Sequence, residues 1–175
     1  NALNFVRYLA GLDADVTISE EYAKKAQAGT TLLQAVGKLQ HTPSKPDGVS
    51  DEFYKLGYAG TSSSNISMGY ANLEHAVING WMEDGDVGNI SRVGHRRWCL
   101  NPTMLQTGFG HSGSFTAMYS FDRKNQDAKD ISYVTWPAKT MPIDYFYGPW
   151  SVSINSSILR VSDQKALKVT MTKKN

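Results

Sequence analysis

The spacing of apolar residues changes once along this chain, from a helical period in the first hundred residues to a period of two beyond them. Leu3, Val6, Leu9 and Ala10 recur on one helix face and Gly11 offers a stop, which predicts a helix over 1–11. Asn4 and Arg7 lie three apart and so share one side of it. Thr17 and Glu20 have the spacing of a capping box and predict a second helix through Tyr22, Ala23, Ala26, Leu33 and Val36. Gly29, Thr30 and Thr31 weaken its middle, and it runs out by Gly37 to Gln40, leaving His41 just past its end. Ser50 caps a short helix with Phe53, Tyr54 and Leu56, after which Gly57, Gly60 and the run from Thr61 to Asn65 read as a polar loop. Leu73, Val77 and Trp81 predict a third long helix, capped by Asn72 and ending near Gly85.

The period then shortens. Phe115, Ala117, Tyr119 and Phe121 alternate with Thr116, Met118 and Ser120, a strand pattern, and Thr107 to His111 reads as its hairpin partner across Ser112 and Gly113. Residues 122–130 form a polar connector. Strand-like segments follow at Ile131–Trp136, Trp150–Ile154 and Leu167–Thr172, punctuated by Pro137, Pro142 and Pro149. Helices followed by strands, without βαβ alternation, predict an α+β class. The expected division is a first domain over 1–125 and a β-strand extension over 126–175, which either packs on the first domain or begins a further module.

Composition narrows the function classes. The 175 residues carry 18 lysines and arginines against 16 acids, a net charge of +2 with the charges scattered, so no basic stripe points to nucleic acid or to an anionic membrane. No apolar run approaches the roughly 20 residues of a membrane-spanning helix. The single cysteine excludes an internal disulfide and a cysteine-ligated zinc module. A start at Asn1 and an end at Lys-Lys-Asn suggest a piece cut from a longer precursor.

Candidate chemistry gathers where the period changes, at Val93–Pro102, which reads Val-Gly-His-Arg-Arg-Trp-Cys-Leu-Asn-Pro. The Asn-Pro pair ends this run abruptly. His41 and His95 both sit at boundaries between elements, where cleft residues collect, and Gly94 beside His95 removes a side chain and permits close approach. Glu83 and Asp84 end a helix, an unfavourable place for an acid, and so call for solvent, an arginine or a cation. Arg96 and Arg97 are able to bind an anion, but pairing with Asp84, Asp86 or a helix C-terminal carbonyl is the expectation. Trp98, Cys99 and Leu100 read as core, with Cys99 a buried apolar residue and not a nucleophile. His75 and His111 have no motif around them.

Taken in order, these pieces resemble the CAP superfamily of cysteine-rich secretory, antigen and pathogenesis-related proteins, including bacterial SCP-type domains. Asn4, Arg7, Gly11 and Leu12 match the opening N-x-x-R-x-x-x-G-L helix of that family. Ala23, Ala26 and His41 match its Ala-rich helix and following histidine, Ser64-Asn65-Ile66 its Gly-Glu-Asn-Ile loop, Trp81 with Asp84 its next helix, and Gly94-His95 with the hairpin to Phe121 the rest. The resemblance covers about residues 1–122.

It implies a three-layer α-β-α sandwich with a C-terminal β-rich extension, in which a central cleft holds two histidines and two acids, in several members a divalent-metal site. Carried over, the histidines are His41 and His95 and one acid is Asp84, with Glu83 the alternative. Ser64 stands where the second acid is expected; His41, His95 and Asp84 could still hold zinc with water in the open position, but serine is a poor neutral ligand and the affinity should drop. The resemblance implies an extracellular or cell-surface bacterial module, non-enzymatic, whose cleft of His41, Ser64, Asn65, Asp84 and His95 takes a lipid, peptide, glycan or other small molecule. The alternative is a metal-assisted peptidase using His41 and His95, with Asp84 or Glu83 as base. A further alternative makes Ser64 a nucleophile.

Overall fold

A computed structural model describes residues 1–138, 140–145, 148–162, 168 and 170. Its N-terminal helix, α1 (Ala2–Leu9), buries Leu3 and Val6 and stops before Gly11, which takes a positive φ. Asn4 and Arg7 leave this helix on one side and tie it to distant chain. Asn4 Nδ2 donates to the Val16 carbonyl, while the fully buried Arg7 donates to the carbonyls of Asp13, Cys99 and Asn101. A short strand, β1 (Thr17–Ile18), pairs in parallel with β3 (Gln106–Thr107).

Helix α2 (Glu20–Val36) is capped by Ser19, whose side chain accepts from the Tyr22 N–H, and not by Thr17. Thr17 is held in the β1–β3 pairing, which removes it as a cap. The helix also passes without a break through Gly29-Thr30-Thr31. The Thr30 and Thr31 hydroxyls each donate to the Gln27 carbonyl, and Gly29 fits against the backbone of Gly60 in α3 (Asp51–Ser62). The residues that weaken an isolated helix are here the ones that allow contact. Ser50 caps α3 as expected.

The segment read as a polar loop up to Asn65 is instead the end of α3 followed by β2 (Ser64–Met68). It forms the edge of an antiparallel sheet in the order β2-β5-β4, with β4 at Phe109–Ser112 and β5 at Phe115–Tyr119. Alternation along β5 sends neighbours to different cores. Phe115 and Ala117 pack with Ile66, Ala26 and Leu33, whereas Met118 joins Leu3, Val6, Trp81 and Met104 in the larger cluster. Cβ atoms added at Gly108 or Gly110 would lie about 2 Å from the α2 backbone, so those two glycines let the helix rest directly on the hairpin.

Asn72 caps the next helix as read from the sequence, but only Leu73–His75 (α4) is α-helical. Ala76–Met82 continues as a π-helix that buries Val77 and Trp81. Such a run is rare, has no sequence signature and is common at functional sites. A loop then leads to α5 (Gly94–Cys99). The connector contains a 3₁₀ turn, Asp127–Asp130. Beyond it, β6 (Tyr133–Trp136) and β7 (Ser151–Ile154) form an antiparallel pair, and Val134 and Trp136 enter the larger core cluster. The strand expected at Leu167–Thr172 lies almost entirely outside the described residues. Helices and sheets are thus mixed in one chain, an α+β protein.

Candidate functional site

His95 is the second residue of α5, and the chain that holds it is bent unusually on both sides. Asp84, which follows the π-helix, has φ 48°, and Val93, just before α5, has φ 44°. Aspartate tolerates this region, but a β-branched residue there is an outlier kept only by the surrounding structure. The result of the two bends is that the Asp84 carboxylate faces the start of α5. One oxygen accepts from His95 Nδ1 at 2.8 Å, and the other accepts from the backbone N–H of His95 at 2.9 Å and of Arg96 at 3.3 Å. Asp84 is 2% exposed, while the His95 side chain keeps 22% of its surface. A buried carboxylate needs such donors, and it also fixes the ring: Nδ1 carries the proton and Nε2 is left as a free acceptor in the neutral imidazole.

Asn65 holds the same place from the sheet. Its side-chain amide donates to the His95 carbonyl at 2.9 Å and contacts Cys99 Sγ at 3.6 Å. Its own backbone N–H donates to Ser120 Oγ. Ser64, next to it, is buried, and its hydroxyl has no hydrogen-bond partner among the described residues. An orphaned buried hydroxyl is uncommon and marks a position where a polar group of a ligand or a water would be accommodated.

His41 lies in the exposed segment after α2 and is anchored independently. Its Nδ1 donates to the Thr61 carbonyl at 2.8 Å, and the Thr61 hydroxyl donates back to the His41 carbonyl at 2.9 Å. Both histidines therefore have Nδ1 engaged, and among the described residues neither Nε2 has a partner. The structure brings Asp84, His95 and Asn65 into direct contact and sets Ser64 next in chain. Among the described residues His41 makes no hydrogen bond to them; its partner is Thr61, near the end of α3 and three residues before Ser64. Glu83 is half-buried and does not take the place of Asp84. It is the Glu83 backbone carbonyl that is used, accepting from Arg96.

Arg96 was expected to find an acid or a helix C-terminal carbonyl, and it takes carbonyls. Nearly fully buried, it donates to Met82 and Glu83 at the end of the π-helix and, across the molecule, to the Pro149 carbonyl and Ser151 Oγ. It thereby clamps the turn that carries Asp84. Thr61 is the supporting residue that spacing alone does not single out. Cys99 is fully buried, and burial pushes its thiol up to about 12, consistent with a core role. Trp98, read as core, is instead half-buried and packs at a 37° tilt on Phe121.

Two surface cavities open off the other face of α5. One of about 460 Å³ is lined by Gly94, Arg97, Trp98, Asn101, Thr103 and Arg123. A second, of about 800 Å³, shares Arg97, Asn101 and Thr103 and continues towards β6 and β7. Neither contains a proposed cleft residue. Among the described residues, no group of three or more His, Cys, Asp or Glu side chains is placed to hold a metal ion, and no helix is long and apolar enough to cross a membrane.

In comparison with known proteins, the CAP family model, described as the cysteine-rich secretory protein family, matches residues 1–121. Neither a curated protein nor a solved structure matches the chain.

Proposed function

This chain belongs to the CAP family, and from that premise we propose that it is an extracellular or cell-surface, non-enzymatic ligand-binding module. Its cleft is formed by His41, Ser64, Asn65, Asp84 and His95. The observation that carries the reading is the complete use of the Asp84 carboxylate. Both oxygens are occupied in holding His95 and the start of α5, so the acid is a positioning group and is not free to act as a base. What supports ligand binding is a set of hydrogen-bonding groups fixed in advance: the two imidazole Nε2 atoms, which no described residue engages, and the buried, orphaned Ser64 hydroxyl. Fixed polar groups of this kind set the orientation of a bound lipid, peptide or glycan headgroup at low entropic cost.

The same donors bear on metal binding. Two imidazoles with anchored Nδ1 atoms have the orientation that metal-ligating histidines adopt. Zinc nevertheless needs three protein donors, and Ser64 offers a neutral hydroxyl while Asp84 is engaged. The residues present do not fit a three-ligand catalytic zinc site, and no step is assigned to a metal.

Metal analysis of the purified chain, together with peptide-library hydrolysis, tests this reading. No stoichiometric zinc and no turnover are expected. Zinc bound one-to-one, lost together with hydrolysis in His41→Ala/His95→Ala, would replace the binding module with the metal-assisted peptidase.

A further inference from the structure

On the face of α5 opposite His95, we infer that the groove of Arg97, Trp98 and Arg123 is a second binding site, one that takes an acidic saccharide. In this arrangement a sugar ring lies on Trp98 and its carboxylate or other anionic group meets the two arginines. The site does not depend on the cleft. Residues 94, 97 and 98 fall on one side of the helix and His95, Arg96 and Cys99 on the other, as expected from a 100° step per residue, and only the first set lines the cavity.

The lining specifies the ligand. Arg97 and Arg123 are exposed, and neither forms an ion pair among the described residues. Among those residues, no acid lines either cavity. Asp122, beside Arg123, is buried and turned inward, accepting from Tyr22 Oη and from the Leu105 and Gln106 N–H groups. Asn101 is also turned inward, its amide oxygen accepting from the Thr103 N–H and hydroxyl. Among the described residues, the charged side chains lining the two cavities are therefore all positive, and the guanidinium fork suits carboxylate, sulfate or phosphate.

The Trp98 ring is held against Phe121 with centroids 4.7 Å apart, and both rings retain exposed surface. A fixed aromatic surface beside arginines suits a ring with an apolar face and an anionic substituent. An acidic peptide fits less well, because the smaller cavity is lined only by α5 and loop residues and presents no strand edge to pair with a peptide main chain. The groove widens into the 800 Å³ cavity, which leaves room for further sugar units.

The test is calorimetric titration of the full chain with hexagalacturonate at low salt. Maltohexaose serves as the neutral probe and hexaglutamate as the peptide probe. Hexagalacturonate is expected to bind, to weaken as salt rises, and to lose about tenfold in affinity, about 1.4 kcal/mol in total, in Arg97→Gln/Arg123→Gln. Circular dichroism confirms that this surface variant folds. Maltohexaose is expected to bind at least as weakly as hexagalacturonate does in that variant, and Trp98→Phe is expected to retain most of the affinity. His41→Ala, a cleft variant anchored on Thr61 and not on α5, is expected to bind hexagalacturonate as the parent does, so a failure of the cleft reading leaves this result standing. Absence of hexagalacturonate binding, or binding unchanged in the double arginine variant, overturns the proposal. Hexaglutamate binding as tightly as hexagalacturonate assigns the groove to acidic peptides instead.

Discussion

Asp84 combines two properties that a single substitution separates: a backbone in the left-handed region and a carboxylate with three donors. Asparagine at this position would accept the backbone but could not match all three donors, since one of its two side-chain termini is itself a donor. Asp84→Asn is therefore expected to lose about 2 kcal/mol of stability in urea unfolding, and Asp84→Ala about 1 kcal/mol more because alanine also resists the positive φ. Equal losses in the two would show that backbone strain contributes nothing. Cys99 gives a pH prediction. Its thiol ionises from an ordinary value of 9.0 but is pushed up to about 12 in the fold, chiefly by burial and then by Asp84. The folded pKa is the raised one, so the stability is fully present below pH 9 and is lost as pH climbs towards 12, by about 1.4 kcal/mol per unit at most. Cys99→Ala should flatten this alkaline slope, although Tyr22, also raised to about 12 by burial and Asp122, leaves part of it. A slope unaffected by the substitution would mean that the thiol is not responsible.

Between elements, the closest approach is α2 on α3. A Cβ at Gly60 would stand 1.9 Å from the Lys25 carbonyl oxygen, with Gly29 on the facing side, and neither neighbour is a side chain that can swing away. Gly60→Ala is expected to cost about 3 kcal/mol or more, read from the urea midpoint, while Gly11→Ala meets no atom and costs only its positive φ. The elements themselves were largely legible. Apolar spacing located α1, α2, the segment from Asn72 and the β4–β5 hairpin, because those patterns arise from burial on one face. Three features were not. The cap moved to Ser19 because a two-residue strand pairing claimed Thr17. The π-helix carries the same apolar positions as an α-helix would. The polar string from Ser62 to Asn65 contains buried sheet residues, because Ser64 and Asn65 serve the site and Ser67 bonds Thr116. At the site, histidines and Asp84 could be picked out by motif order. The C-terminal carbonyls taken by Arg96 were among its expected partners, but the Nδ1 anchors, Thr61 and the reach of Arg96 to Pro149 and Ser151 were not, since they are set by tertiary approach.

For the molecule as a whole, Arg96 adds a polar link between the family-matched part and the segment after it, beside the apolar one made by Val134 and Trp136. Its guanidinium reaches Met82 and Glu83 on one side and Pro149 and Ser151 on the other. Replacing it with methionine leaves these buried carbonyls without their donor, an expected loss of about 3 kcal/mol. Amide hydrogen exchange in β6 and β7 should rise in Arg96→Met more than exchange in β4 and β5. Uniform acceleration across both sheets would show that Arg96 supports the fold in general and not the extension in particular. Because the same side chain sits beside Asp84, the contact at Pro149 is also a contact with the frame of the cleft.

The two left-handed corners at Asp84 and Val93 have a different consequence for the path between them. They hand the chain from the π-helix to α5 with both ends fixed, while its middle is outside the protein: Val87 is 97% exposed and Asp86 closes a small local turn by accepting from Gly88 and Asn89. The loop thus behaves as a replaceable cassette, a place where length and sequence can drift, or foreign sequence can be inserted, while the histidine and its acid keep their positions.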